Sequence, residues 1–180
     1  MLKSSRIWGL VLTSLLFILL VSAPVCAASE DESDPTKGED VRVVTEEELA
    51  KKIGLNGKGD VWLSVLGEVY DVTGGRDFYG VGSGYSFFAG KDASPCFATG
   101  KFNEEGLKDE LNDMPMTQLG GIVGWRDFYR KHESYKFVGV LAGKFYDNDG
   151  KPTPLLDTTN ERLKTLEMMN AQKKAGKKEL

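Results

Sequence analysis

"VWLSVLGEVYDVTGGRDFYGVGSGYSFFAGKDAS", residues 61–94, decides the reading of the chain. Its first third alternates well enough for two short strands around a turn at Gly67. Val61, Leu63 and Val65 share one strand face there, and Val69 and Asp71 share a face of the next. The "FYGVGSGYSFFAG" that follows sets Tyr79 and Tyr85 on a glycine-rich loop between aromatic residues. In "KDAS", Asp92 is placed to cap a short helix over 93–98 that stops near Gly100. Two readings of the tyrosine loop stand side by side. Either the phenols cover the core, or one is aimed into a pocket walled by Phe87, Phe88 and Ala89, where Gly84 and Ser86 leave room for a flat ring.

Upstream, "VVTEEELAKKIG" starts the fold, with Thr45 and Glu48 as a capping box and Gly54 ending a short helix. Downstream, Leu107 and Leu111 in "NEEGLKDELNDM" predict a helical turn or two. "LGGIVGWRDFYRKH" predicts a helix with Ile122, Trp125 and Phe128 or Tyr129 on its apolar face. "YKFVGVLAGKFYD" returns to a strand pattern, and "NDGKPTP" is a turn-rich break. A solvated tail helix over 160–174 follows, with Leu163, Leu166 and Met169 to dock it. The whole predicts an α+β domain over 43–147, a small mixed sheet with short helices, and a tail over 148–180.

The N-terminus carries a targeting signal. Lys3 and Arg6 precede the uncharged "IWGLVLTSLLFILLVSA", and small residues around Ala27 suit cleavage, so 1–27 is read as a signal peptide. An uncleaved membrane anchor is the other reading. Residues 28–42, acidic and rich in Ser, Gly and Pro, read as a disordered linker. The charge asymmetry sends the rest of the chain into the lumen or outside. The terminal "KKEL" resembles a retrieval address of the endoplasmic reticulum, against the plainer reading of a solvated lysine-rich tail. The expected location is therefore the endoplasmic reticulum lumen or the secreted fraction, with membrane association if the anchor stays.

Composition excludes several functions. The net charge of −4 and the absence of a basic stripe argue against nucleic acid. Cys26 leaves with the signal, so Cys96 has no intrachain partner and reads as a buried small hydrophobe. One cysteine and one histidine do not make a structural zinc site. His132, between Lys131 and Glu133, reads as an exposed surface residue, and no nucleophile elbow or phosphate loop accompanies it. No residue argues for an enzyme. A tyrosine on an aromatic loop, however, has a chemistry of its own, because a phenolate binds ferric haem iron and the metal lowers the phenol's pKa.

"VWLSVLGEVYDVT", "FYGVGSGY", "FAGKDAS", "FATGKF", "GWRDFYRKHESYKFVGVLAGKFYD" and "DGKPTP" together resemble the cytochrome-b5-like haem/steroid-binding family, the membrane-associated progesterone receptor group. The resemblance implies that fold, haem (Fe-protoporphyrin IX) as cofactor, and Tyr85 as axial ligand of the haem iron. It implies that Tyr79 and Tyr135 contact the haem and that Asp92 lies beside the pocket with an architectural role. Ser134 stands where some members have a lysine, and Pro95 and Cys96 depart from the usual sequence after "DAS". The "HPGG"-type segment of true cytochrome b5 is absent, and one histidine cannot grip iron from both sides. The expected function is a non-enzymatic, haem-dependent adaptor or signalling protein, five-coordinate on a tyrosinate, able to pair through stacked haems. A steroid- or lipid-binding adaptor in which haem is incidental, and an electron-transfer partner of an oxidase, are the other readings.

Overall fold

The computed structural model describes residues 34–38 and 40–176. The expected signal peptide or anchor, Cys26 and the terminal KKEL lie outside the described residues.

Four strands form one mixed sheet in the order β1-β4-β3-β2. β1 (Val43–Val44) runs parallel to β4 (Lys136–Leu141), while β2 (Trp62–Val65) and β3 (Glu68–Asp71) form the expected antiparallel hairpin. β3 pairs antiparallel with β4. The hairpin turns on Leu66 (φ 51°) and Gly67 (φ 76°), the two left-handed residues that a tight turn between right-twisted strands demands. Leu66 tolerates that backbone because its side chain is fully buried and its N–H donates to Ser94 Oγ at 2.6 Å. At Gly67 a Cβ would stand 2.7–2.9 Å from the rings and Cβ of Tyr146 and Phe145, so only glycine fits.

The sheet buries both faces. Leu63, Val65, Tyr70 and Val140 meet the main core, to which α3 (Ser94–Thr99) and α4 (Met116–Lys131) add Phe97, Leu119, Ile122 and Tyr129. Trp62, Val69 and Leu141 meet Val44 and Leu49 in a smaller core under α1 (Glu46–Ala50). Thr45 caps α1 by accepting from the Glu48 N–H at 3.1 Å. The Glu48 carboxylate pairs with Arg42 instead of closing the box. α2 (Arg76–Tyr79) is one turn long and leads into the tyrosine loop.

Three expectations change. The Leu107–Leu111 segment is a 3-10 turn over Gly106–Lys108 and loop beyond it. Asn103 Oδ1 accepts from the Gly106 N–H at 2.8 Å, and a Cβ at Gly106 would overlap the Lys101 carbonyl, so the local side-chain bond replaces a helix ladder. The tail helix α5 starts earlier, spanning Pro154–Gly176, and docks through Leu156, Thr159 and Leu163 while Met169 stays exposed. Within the segment read as a disordered linker, Pro35–Lys37 form a 3-10 turn capped by Asp34. Asp34 is held by Arg130 at 2.9 Å, and the same guanidinium donates to the buried Glu68 at 2.6 and 2.9 Å. Glu68 also accepts from the Tyr70 hydroxyl at 2.6 Å. A buried carboxylate with an arginine partner and a phenol is satisfied on every side, and it ties the sheet, α4 and the Asp34 turn together.

Candidate haem site

The end of β3 feeds the site. Asp71 Oδ1 accepts from the Thr73 N–H at 2.9 Å, and Thr73 Oγ1 accepts from the Val61 N–H at 3.0 Å, so the Thr73–Gly75 turn is pinned to β2. α2 then sets Tyr79 inward. The loop after it is closed by backbone bonds: Ser83 N–H to the Gly80 carbonyl at 3.0 Å and Tyr85 N–H to the Phe78 carbonyl at 3.0 Å. The Tyr85 backbone is thereby fixed while the residue stays 38% exposed.

Three of the four residues expected at the site come together. Tyr79 lies 6.3 Å from Tyr85 and 6.0 Å from Tyr135, centroid to centroid. Tyr85 stacks on Phe88 at 5.9 Å and 9°, and Phe102 meets it edge-on at 6.1 Å. Trp125 stacks on Phe97 behind this layer at 4.9 Å. Phe78, Phe102 and Phe128 leave 58%, 37% and 40% of their surface open. The result is an aromatic face with an unfilled rim.

A fourth tyrosine joins them. Tyr129, expected on the apolar face of α4, places its hydroxyl 3.0 Å from that of Tyr79. Burial pushes the Tyr79 phenol up to about 12 and the Tyr129 phenol higher still, so both remain neutral. Burial also raises Tyr135. Gly75 is what admits Tyr135, because a Cβ there would overlap the Tyr135 hydroxyl. His132, expected on the surface, is half-buried and stacks flat on Tyr135 at 3.7 Å and 11°. Its interplanar contact depends on the bend at the end of α4, which the polar flanks Lys131 and Glu133 hide. Phe102 closes the "FATGKF" motif, but its place at this face was not marked because it lies in a loop with no periodicity.

Asp92 is elsewhere. Its Oδ1 accepts from the Ser94 N–H at 3.0 Å and from the Ser94 hydroxyl, which starts α3 in the manner of an Asx turn. It lines a separate cavity with Glu46, Leu111 and Lys144, and none of the four tyrosines is on that wall. Its part at the tyrosine face is at most through α3, which carries Phe97.

These residues fit a haem. Among the described residues the Tyr85 hydroxyl has no hydrogen-bond partner, whereas those of Tyr79 and Tyr129 hold one another. An open phenol beside flat apolar walls is one of the donor sets that can hold a ferric porphyrin. The chain's one histidine stacks on a tyrosine, so a two-histidine clamp has no second ligand.

The fold and this face define a class. The model of the cytochrome b5-like heme/steroid binding domain matches residues 45–147, and the chain belongs to that family. The family description is that of a haem- and steroid-binding domain. Its relatives include neuferricin of Mus musculus, 44% identical over 113 residues, which are 63% of this chain and 42% of that protein. They also include neuferricin of Xenopus tropicalis, 41% identical over 116 residues (64% and 42%). Membrane-associated progesterone-binding protein 4 of Arabidopsis thaliana is 43% identical over 112 residues, 62% of this chain and 45% of that one. The matched region is thus under half the length of these relatives. Among solved structures, a hypothetical protein of Arabidopsis thaliana described as having a cytochrome b5 like fold is 31% identical. That match covers 59% of this chain and 95% of the other, with a TM-score of 0.49. Among the described residues, no helix is long and apolar enough to cross a membrane.

Proposed function

We propose that this chain holds a ferric haem on the phenolate of Tyr85 and serves as a non-enzymatic, haem-dependent adaptor of the endomembrane system. The observation that carries the reading is the state of the Tyr85 phenol: fixed by its backbone, half-open, unpartnered among the described residues and flanked by Phe88, Phe102 and Tyr79. When bound, haem iron supplies a Lewis acid that favours the phenolate, and the phenolate in turn favours the ferric state. Tyr85 would hold the group through its phenol oxygen, giving up its proton. Tyr79 and Tyr129, kept neutral by burial, remain hydrogen-bond donors behind it. Phe88 and Phe102 exclude water from the ring faces, and Tyr135 offers a hydroxyl at the edge set by Gly75. The exposed Phe78, Phe102 and Phe128 at the rim would be available for pairing with a second copy of the chain. The family description supports haem and steroid alike, and one relative's printed name, membrane-associated progesterone-binding protein 4, supports a place at a membrane and a sterol as a second ligand.

Ferric haem titrated into the purified chain tests this by absorbance. Tyr85→Phe is expected to weaken binding at least tenfold while the far-ultraviolet circular dichroism is unchanged. Equal affinity in the variant would overturn the ligand assignment. Sterol titration in the same variant separates the second ligand: binding that survives the loss of haem belongs to another surface.

A further inference from the structure

At the end of α4 the His132 imidazole lies flat on the Tyr135 ring, and Phe128 meets the two rings edge-on at 5.1 and 6.0 Å. The Ser134 N–H donates to His132 Nδ1 at 3.2 Å. A neutral imidazole that accepts at Nδ1 carries its proton on Nε2, where it is a donor. Nε2 has no hydrogen-bond partner among the described residues. The loop that holds this pair is packed: a Cβ at Gly74 would stand 3.1 Å from the Ser134 Cβ, and Gly75 faces the Tyr135 hydroxyl. Tyr135 in turn meets Tyr79 at 6.0 Å, so the stack continues the aromatic face to its edge. Asp127, Lys131 and Glu133 line the hollow beside His132. Asp127 is engaged by Lys131 at 3.2 Å, and Glu133 is exposed, where water and salt screen its charge.

We propose that His132 is a cofactor-binding residue of this chain, its Nε2–H donating to a carboxylate of the haem at the edge of the tyrosine face. The inference rests on the haem reading above and adds a residue which that reading leaves out. Aromatic walls hold a macrocycle, but its carboxylates need polar partners. The Tyr79 and Tyr129 hydroxyls are occupied by each other, which leaves the Tyr135 hydroxyl and the His132 imidazole, already stacked together. The Ser134 backbone fixes the direction of the imidazole, and the Tyr135 ring fixes its plane. A donor held in this way loses little side-chain freedom when it meets a carboxylate.

The test compares ferric haem with its dimethyl ester, in which both carboxylates are masked, each titrated by absorbance into the full chain in one detergent buffer. Wild type is expected to bind haem more tightly than the ester. His132→Phe keeps a flat ring for the stack and removes the donor. It should weaken haem about tenfold, as the loss of one hydrogen bond to a charged group does, and change the ester by less than about twofold. His132→Gln, which retains an N–H, should recover part of the loss. Tyr85→Phe should weaken haem and ester alike, which separates this inference from the ligand assignment. Circular dichroism verifies that each variant is folded. Equal weakening of haem and ester in His132→Phe, or no weakening of either, would overturn the role of His132 and leave that of Tyr85 standing. A wild type that binds the ester as tightly as haem would overturn it as well, and one that binds no haem would overturn both.

Discussion

Single residues decide how the tyrosine face is built. Gly75 has φ −101°, a backbone any residue adopts, so its role is purely steric. Gly75→Ala should therefore force Tyr135 outward and cost about 1–3 kcal/mol, as overpacking does. Adding Tyr135→Phe should recover part of that loss, because the hydroxyl is the nearest obstacle; paired urea denaturations measure both. Asp92 gives a pH signature. Burial raises its carboxyl to about 6, against the opposing bonds from Ser94. The folded chain then takes up this proton before the unfolded chain does, so the contribution of Asp92 to stability grows as pH falls from 7 to 4. The stability advantage of Asp92→Asn over wild type should shrink across that range by about 1–3 kcal/mol; a constant difference would contradict the burial of the charge. Tyr79, Tyr85 and Tyr135 were legible because ordered motifs carry them. Tyr129 was legible only as a core residue, since its bond to Tyr79 depends on how α4 crosses the loop. The capping role of Asp92 was legible from "KDAS", whereas the cavity it lines was not, since that depends on how α3 packs.

Elements are held in register by one buried charge. Glu68 on β3 is 2% exposed and meets Arg130 of α4, Tyr70 and, through the arginine, Asp34. Arg130→Met leaves that carboxylate without its counter-charge and should cost about 3–5 kcal/mol. Replacing the trio together, Glu68→Leu with Arg130→Met and Tyr70→Phe, should restore most of the loss, because the buried charge is gone and only the less buried Asp34, still held by Thr36, loses a partner. Chemical denaturation distinguishes the two outcomes. The hairpin, α1, α3, α4 and β4 were legible from alternation, caps and 3.6-residue spacing. The helix expected at Leu107 and Leu111 was not formed, since Asn103 and the crowded Gly106 bend that backbone into a turn. The Asp34 turn was invisible from composition, because an acidic stretch reads as solvated until an arginine 96 positions away reaches it.

At the scale of the molecule, two cores back a single sheet and leave two different concave places. One is an aromatic face ending in an open phenol; the other is an acidic, apolar-walled cavity under Asp92. The family was legible from the sequence because its motifs recur in order over most of the domain. The separation of the tyrosine face from the cavity lined by Asp92 was not, since it depends on which surfaces α3 and the hairpin turn toward each other. The central claim is that Tyr85, and no other tyrosine of the cluster, is the iron ligand. Resonance Raman spectroscopy of the haem-loaded chain measures it directly through the vibrations of an iron-bound phenolate. These bands should be present in wild type, retained in Tyr79→Phe and Tyr135→Phe, and absent in Tyr85→Phe. Phenolate bands that persist in Tyr85→Phe, or their absence from the wild type, would contradict the account.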